Sequence, residues 1–338
     1  MALNIAIESI AYELPPHIIT SLEIERQIET TLERFSMPLG NLERLTGIRE
    51  RRFWDPGTMP SDVATSAARS AIEAAGIDQD EIGCVISTSV SRDYVEPSVA
   101  ALVHGNLGLS SGCRNYDISN ACLGFLDAID TIGMMINDGR FDYGLVVNGE
   151  CAREPVEATI ERLKNPDTSL SELKDSFATL TIGSGSAAMI LASRDRSRSG
   201  HVVNGSISLT DSKNNRLCVA QRDQGWTDAH GMFVAGVELA ATAWKAGKER
   251  FEEWSDESVD LYIPHQVSVR HTNEIIKALS LTPEKVIMNV ETAGNVGPAA
   301  IPILLGVAEE SGRVKTGDQI ILLGIGSGLN CMGMSVSW

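Results

Sequence analysis

An α/β fold made of two copies of a βαβαβ unit, stacked in five layers as α/β/α/β/α, is the architecture this sequence predicts. Three observations lead there. Short β-rich runs alternate with segments of helical period along the whole chain. The order of those segments repeats in the second half. Two segments, 121–137 and 298–310, are rich in Ala, Ile, Leu and Met and poor in charge, as helices buried on every side should be.

Taken in order, the first half reads as a strand over 82–89, a helix over 97–107, a strand over 114–119, a helix over 121–137 and a strand over 143–148. The second half reads 259–263, 268–279, 286–289, 298–310 and 319–323 in the same alternation. The repeat has a measurable offset. Glu-Ile-Gly-Cys-Val-Ile at 81–86 stands 177 residues before Ser-Val-Asp-Leu-Tyr-Ile at 258–263, whereas Ile-Gly-Ser-Gly at 182–185 stands only 143 before its second copy at 325–328. The first half therefore carries 34 extra residues. The polar, helix-prone stretch 151–178 can hold them without disturbing a sheet. We divide the chain into 1–195, with 151–178 as an inserted lid, and 196–338; a surface excursion without function is the alternative for the insert. Facing halves place 121–137 beside 298–310 on a pseudo-twofold axis, with a site where their N-termini meet.

Composition bounds the function. The chain has 338 residues, 43% apolar and 22% charged, enough to bury a large core and unlike a disordered chain. Against 45 Asp and Glu there are 28 Lys and Arg, a net charge of −17, which argues against a nucleic-acid partner and requires any anionic ligand to be met by a local basic patch. The longest apolar stretches, such as 298–308, fall short of the roughly 18 residues a membrane span needs. The first cation is Arg26, after Glu8, so the start does not read as a signal peptide, and a cytoplasmic location is expected. Six cysteines (Cys84, Cys113, Cys122, Cys151, Cys218, Cys331) contain no C-x-x-C pair and no zinc-like His spacing, so neither a disulfide framework nor a metal is expected.

Asp117-Ile-Ser-Asn-Ala-Cys122-Leu-Gly-Phe125 runs from a strand through a tight turn into a helix. A thiol there meets the positive end of the helix dipole and unpaired N–H groups, which favour the thiolate; a buried structural cysteine is the alternative. His265, in Ile263-Pro-His265-Gln266, stands at the C-terminal end of a strand, where open α/β sheets hold ligands. Asn295, in Ala293-Gly-Asn-Val-Gly-Pro298, opens the second central helix 173 residues after Cys122; alone it reads as a helix cap. Together a thiol and two neutral hydrogen-bond donors suit carbon–carbon bond formation on a thioester. The thiol holds one acyl group while the donors stabilise the enolate oxygen of the other.

On these residues the chain resembles, over its whole length, a thiolase-superfamily condensing enzyme of the ketoacyl synthase III branch. Five ordered motifs carry the likeness: Thr46-Gly-Ile-Arg-Glu-Arg-Arg52, the Cys122 segment, Pro264-His-Gln266 followed by Arg270, Gly294-Asn-Val-Gly-Pro298, and Gly324-Ile-Gly-Ser-Gly328. The resemblance implies a thiolase-like fold, a Cys122, His265, Asn295 triad, and an oxyanion hole from the backbone N–H groups of Cys122 and Gly328. It implies a homodimer that acts on coenzyme A thioesters with no further cofactor.

Two departures shift the reading within the family. Leu123 follows the cysteine and the closing loop reads Gly-Ser-Gly-Leu-Asn. Ser89-Val-Ser-Arg-Asp-Tyr-Val-Glu96-Pro97 places a carboxylate 26 residues before Cys122, on the segment that approaches the dimer partner in this fold. Both are similar to the subgroup that joins two long-chain acyl-CoA molecules head to head at the start of olefin biosynthesis. Malonyl donors make their carbanion by losing carbon dioxide, whereas two plain acyl thioesters need a base at an unactivated α-carbon. Glu96, acting in trans, is that base in this reading; a helix-start acid ahead of Pro97 at the first helical position is the alternative. Arg49, Arg51, Arg52, Lys245, Lys248, Arg250 and Arg270 are the candidates for gripping CoA phosphates or docking a carrier protein. Two other functions remain open: a ketoacyl synthase III that takes an acyl-CoA and a malonyl carrier protein, and a member that only binds or hydrolyses acyl thioesters. Acyl carrier protein and downstream olefin-pathway enzymes are the macromolecular partners the resemblance leaves open. Chain length is not legible, because channel-lining residues are apolar like the core.

Overall fold

Period-two alternation along the strands decides how the layers stack, because each strand must serve a central helix on one face and an outer helix on the other. The computed structural model describes residues 4–221 and 224–338. In chain order its first half comprises β1 (Ile5–Glu13), β2 (His17–Thr20), α1 (Ser21–Gln27), α2 (Glu29–Arg34), α3 (Asn41–Thr46), β3 (Glu50–Phe53), α4 (Pro60–Ala75), β4 (Ile82–Ser87), α5 (Val99–Leu107), β5 (Arg114–Asp117), α6 (Gly124–Asn137), β6 (Tyr143–Glu150), α7 (Arg153–Leu163), α8 (Leu170–Ser176) and β7 (Gly185–Ser193). The second half comprises β8 (His201–Thr210), β9 (Cys218–Ala220), β10 (Gly225–Thr227), α9 (Ala229–Arg250), β11 (Leu261–Pro264), α10 (Val269–Leu279), α11 (Val290–Ala293), α12 (Ala300–Glu310), β12 (Gln319–Gly326) and β13 (Asn330–Ser337).

The main sheet runs β5-β4-β6-β7-β1-β8-β13-β12-β11. Outward from the junction, each half repeats the same order of first, last, penultimate and second strand. The halves join where Ile5–Ile7 pairs antiparallel with His201–Val203, so nine strands share one hydrogen-bonded ladder. The strand expected over 286–289 is reduced to a single bridge between Val286 and Tyr262. The Gln266 side chain replaces the missing ladder: its Nε2 donates to Ile287 O at 2.9 Å, and its Oε1 accepts from Asn289 N and Val290 N at 3.1 Å each.

Cys84 and Ile86 of β4, Met189 and Leu191 of β7, Ile320 and Leu322 of β12, and Met332 and Met334 of β13 all turn toward α6 and α12 in one core. Their sequence neighbours turn the other way. Val85, Ala188 and Ile190 meet α4 and α5, and Tyr262 and Ile321 meet α9 and α10. The five layers predicted from the sequence follow. The central helices are largely covered, with Leu126, Ile129, Ile132, Leu304 and Leu305 essentially inaccessible and Met134 exposed near the end of α6. Each such side chain is worth about 1.5–3 kcal/mol of burial.

The 151–178 stretch folds as α7 and α8. Val156, Ile160, Leu163 and Leu173 pack on Ile24, Ile28, Leu32 and Leu42, forming a satellite core with the N-terminal helices. No helix among the described residues is long and apolar enough to cross a membrane.

Candidate active site

Cys122 owes its position to a turn that residues with a Cβ rarely make. After β5 the chain reverses into α6 through a 3-10 turn over Ala121–Leu123. Ala121 has φ 46°, in the left-handed region, at a cost of about 1–3 kcal/mol. Neighbouring bonds enforce it. Leu123 N donates to Asn120 O, Asn120 Nδ2 donates to Asp127 Oδ2 at 2.7 Å, and Asn330 Nδ2 donates to Asn120 Oδ1 at 3.0 Å. On the opposite side runs β12, whose glycines permit close approach: a Cβ on Gly326 would stand 3.3 Å from Cys122 N, and one on Gly324 would stand 2.3 Å from Leu123 Cδ2. In the closing loop it is Gly326 that abuts Cys122, while a Cβ on Gly328 would meet Asn330 Nδ2 at 2.4 Å.

The helix dipole predicts an acidified thiol, and burial outweighs it. Cys122 keeps part of its surface accessible, yet the sulfur lies among protein atoms and desolvation pushes its pKa up to about 12. Cys218 and Glu150 add to the rise, while the residue's own backbone N–H hydrogen bond opposes it. The resting side chain is a protonated thiol.

His265 follows β11, and its N donates to Leu323 O at 2.7 Å, extending the β11–β12 pairing by one step. The ring is buried, and neither ring nitrogen has a hydrogen-bond partner among the described residues. Burial first, and then neighbouring His271, hold its pKa down to about 3; burial holds His271 at about 4. At neutral pH His265 is thus a neutral imidazole with one donor and one acceptor unspent. A cavity of about 30 Å³ opens beside it between Trp244, Trp254, Ile275, Leu323 and Met332. That is room for a water, not an alkyl chain.

Asn295 lies in the turn between α11 and α12. Its N donates to Thr181 O at 3.0 Å, its O accepts from Gly183 N at 2.9 Å, and its Oδ1 accepts from Gly297 N at 3.0 Å. The cap is made by the oxygen alone, and Nδ2 has no acceptor among the described residues. The 3-10 turns 121–123 and 297–299 touch each other. The turns that carry Cys122 and Asn295 thus lie against each other, and His265 extends the pairing of the strand whose Gly326 lies against Cys122.

Glu96 is exposed, on a loop whose Val95 is 95% accessible. Pro97 is not the first residue of a helix: Ser98 caps α5, its Oγ accepting from Ala101 N at 3.1 Å, which removes the helix-start reading of Glu96. The carboxylate near Cys122 within the chain is Glu150, which the sequence reading passed over. Buried at the end of β6, it accepts from Val90 N at 2.8 Å, Ser91 N at 3.1 Å, Ser91 Oγ at 2.8 Å and Asn148 Nδ2 at 3.2 Å. Desolvation raises it to about 7 against those four bonds. The signal was there, in Asn148-Gly-Glu150 closing an apolar strand at its ligand-facing end.

Of the seven basic candidates, Arg51 is corrected. It is fully buried, and its guanidinium donates to Ile19 O, Ser21 Oγ and Leu180 O, with desolvation lowering it to about 10. It ties segments together and cannot reach a phosphate. Arg52 is half-buried and donates to Pro15 O at 3.0 Å. Arg49 and Arg270 are exposed on touching segments, since a Cβ on Gly47 would stand 2.5 Å from Val269 Cβ. Arg270 covers the Phe233 ring at 5.7 Å, and Lys248 covers Trp244 at 5.7 Å. Eleven residues of α9 separate those rings, roughly 16 Å, so Lys245, Lys248 and Arg250 form a group apart from Arg270.

Comparison with known proteins agrees with this fold. Residues 250–338 match the family model described as 3-oxoacyl-[acyl-carrier-protein] synthase III C terminal. The acyl-CoA:acyl-CoA alkyltransferase of Xanthomonas campestris pv. campestris is 40% identical over 335 residues, covering 99% of both chains. That of Shewanella oneidensis is 37% identical over 347 residues, again covering 99% of both. The crystal structure of cerulenin-bound Xanthomonas campestris OleA superimposes with TM-score 0.97 at 40% identity, covering 100% of this chain and 98% of that one. A cysteine-to-serine variant of the same OleA, solved with bound lauric acid and lauroyl-CoA, also gives 0.97, at 39% identity and covering 100% of both chains. With its five-layered fold, its buried cysteine turn and this full-length likeness, the chain belongs to the acyl-CoA:acyl-CoA alkyltransferase family, the OleA proteins.

Proposed function

We propose that the chain condenses two fatty acyl-CoA thioesters head to head, without decarboxylation, to a 2-alkyl-3-oxo acid. Cys122 attacks the first thioester, forming an acyl-enzyme and releasing coenzyme A. Because the resting thiol is protonated, its proton passes to the departing CoA sulfur as the new bond forms. The α-carbon of the second acyl-CoA then loses a proton to the Glu96 carboxylate. The carbanion attacks the acyl carbonyl, the Cys122 thiolate departs, and water later cleaves the remaining CoA thioester to give the acid.

The observation that supports this reading is the contact of the Cys122 turn with the Asn295 turn, beside a neutral His265 and an Asn295 Nδ2 that have no hydrogen-bond partners among the described residues. Two donors without net charge suit an enolate oxygen, and each is worth about 10²–10³ in rate. Backbone N–H groups of Cys122 and Gly328 serve the acyl oxyanion. The trans role of Glu96 is supported by Val90, Tyr94 and Val95, which lie bare on its loop as a surface a second copy would cover. The 151–178 excursion is read as a cap, since Thr181 and Gly183, just beyond it, hold the Asn295 backbone. Arg49 and Arg270 are the cations best placed to meet CoA phosphates.

The test is product mass after incubation with one acyl-CoA and no malonyl donor. A β-keto acid, or the ketone left when it loses carbon dioxide, supports condensation. Free fatty acid alone supports a hydrolytic member, and product that appears only with a malonyl carrier protein supports the synthase III reading.

A further inference from the structure

The loop that carries Glu96 has two roots, and their construction differs. At the C-terminal root, Asp117 accepts from Val99 N and Ala100 N at 3.1 and 2.9 Å, and Ser98 caps α5. In the middle, Asp93 accepts from Ser61 N and from Ser61 Oγ, the latter at 2.6 Å. At the N-terminal root, three of the four donors to Glu150 come from Val90 and Ser91, and Ser91 Oγ in turn accepts from Cys151 N at 3.0 Å. Tyr94, Val95 and Glu96 form a short outward arm between these anchors.

Among the described residues no Lys or Arg is paired with the Glu150 carboxylate, which is 6% exposed. Burying a carboxylate without a cation is costly, and an apolar strand needs no such group merely to end. The same carboxylate reaches the turn that leads into α12, since a Cβ on Gly297 would stand 3.8 Å from Glu150 Cδ. It therefore joins the root of the Glu96 loop to the floor on which Cys122 and Asn295 stand.

We infer that Glu150 is a positioning residue for the condensation: it clamps the root of the 90–97 loop so that Glu96 is presented at the partner subunit's Cys122. This rests on the reading of Glu96 as a base acting across the dimer. Misplacing a reacting group by about 1 Å costs up to about 10²-fold in rate, and removal of Glu150 releases three of the bonds that fix this root.

The test compares Glu150→Gln, Ser91→Ala and Glu96→Gln homodimers with lauroyl-CoA as the probe, reading Cys122 acylation by intact mass and condensation by product mass. Glu150→Gln should acylate within about twofold of wild type and condense about 10–100-fold more slowly, with Ser91→Ala showing the same split more weakly. Each variant is then mixed with Cys122→Ala chains. A Glu150→Gln subunit keeps its own Cys122, so an intact loop from the Cys122→Ala subunit should restore condensation, as it should for Glu96→Gln. Wild-type condensation by Glu150→Gln overturns the inference, as does an equal loss of acylation and condensation. Rescue of Glu96→Gln but not of Glu150→Gln overturns it too, since Glu150 would then serve its own subunit's Cys122. If Glu150→Gln does not fold, Ser91→Ala decides by the same outcomes. Wild-type condensation by Glu96→Gln is the separate result that overturns the base reading.

Discussion

Replacing Glu150 with Gln should change how stability depends on pH, and the structure sets the size of the change. The carboxyl is raised from its ordinary 4.5 to about 7 in the folded protein, chiefly by desolvation. At 1.36 kcal/mol per pH unit that interval is about 3 kcal/mol. The sign follows from proton binding: between pH 4.5 and 7 the native state holds a proton that the unfolded state has released, so stability falls as pH rises through that window. About 2.5 kcal/mol of the change lies between pH 5 and pH 8. Gln does not titrate, and the nearby thiols of Cys122 and Cys151 are pushed up to about 12, beyond this range. His265 and His271 titrate in both proteins, so the difference between wild type and variant removes them. At pH 5 the variant should be the weaker by about 1–3 kcal/mol, because its amide cannot accept all four hydrogen bonds. By pH 8 that gap should close or reverse. Urea unfolding at one fixed protein concentration, at pH 5, 6.5 and 8, reads it directly. A gap that is constant with pH, or that widens as pH rises, would refute a buried carboxylate held near neutrality.

His265→Ala and Asn295→Ala should each still take an acyl group on Cys122 yet lose condensation by about 10²–10³, read by intact mass beside product mass; unchanged condensation removes the residue from the site. Gly326→Ala asks for a shift of a few tenths of an ångström at Cys122 N, which a Cβ would meet at 3.3 Å, whereas Gly326→Val adds two methyl groups there. Acylation should fall only several-fold for the first and by about 10² for the second, and equal rates for the two would mean the approach is looser than it is drawn. Arg51→Met should lower stability by about 3 kcal/mol or more through the carbonyls left unpaired, with KM for acyl-CoA unchanged; a raised KM without loss of stability would return Arg51 to phosphate binding.

The layers were legible because burial leaves a period. The 121–137 and 298–310 segments could only be central helices, and the turn into the first of them located Cys122. The loss of the 286–289 strand was not legible. Apolar Val286 and Ile287 suggest pairing, and only the folded chain shows that the Gln266 amide takes the ladder's place. Arg51 misled for a related reason. Next to Arg49 and Arg52 it reads as one of a basic cluster, but the β2–β3 pairing points alternate residues inward, and Arg51 is the inward one. Glu150 went unread because a lone carboxylate at a strand end carries no spacing, and its four donors come from segments about sixty residues apart.

These features share one electrostatic logic. The thiol is protonated, His265 is neutral, Asn295 offers an amide, and the nearest carboxylate stands near its midpoint, so at pH 7 the centre holds little fixed charge. In a chain of net charge −17, a fixed anion there would oppose both an enolate and the phosphates of coenzyme A. A fixed cation would instead hold the enolate in an ion pair before it could attack. Oriented neutral donors avoid both, because in a dry pocket their dipoles already face the charge that develops. Such features are costly to fold: Ala121 is left-handed, and among the described residues the His265 imidazole has no hydrogen-bond partner and the buried Glu150 carboxylate has no cation. The closely packed helices α6 and α12 can offset that cost, and the strained Ala121 sits just ahead of α6, where unpaired backbone N–H groups face the turn.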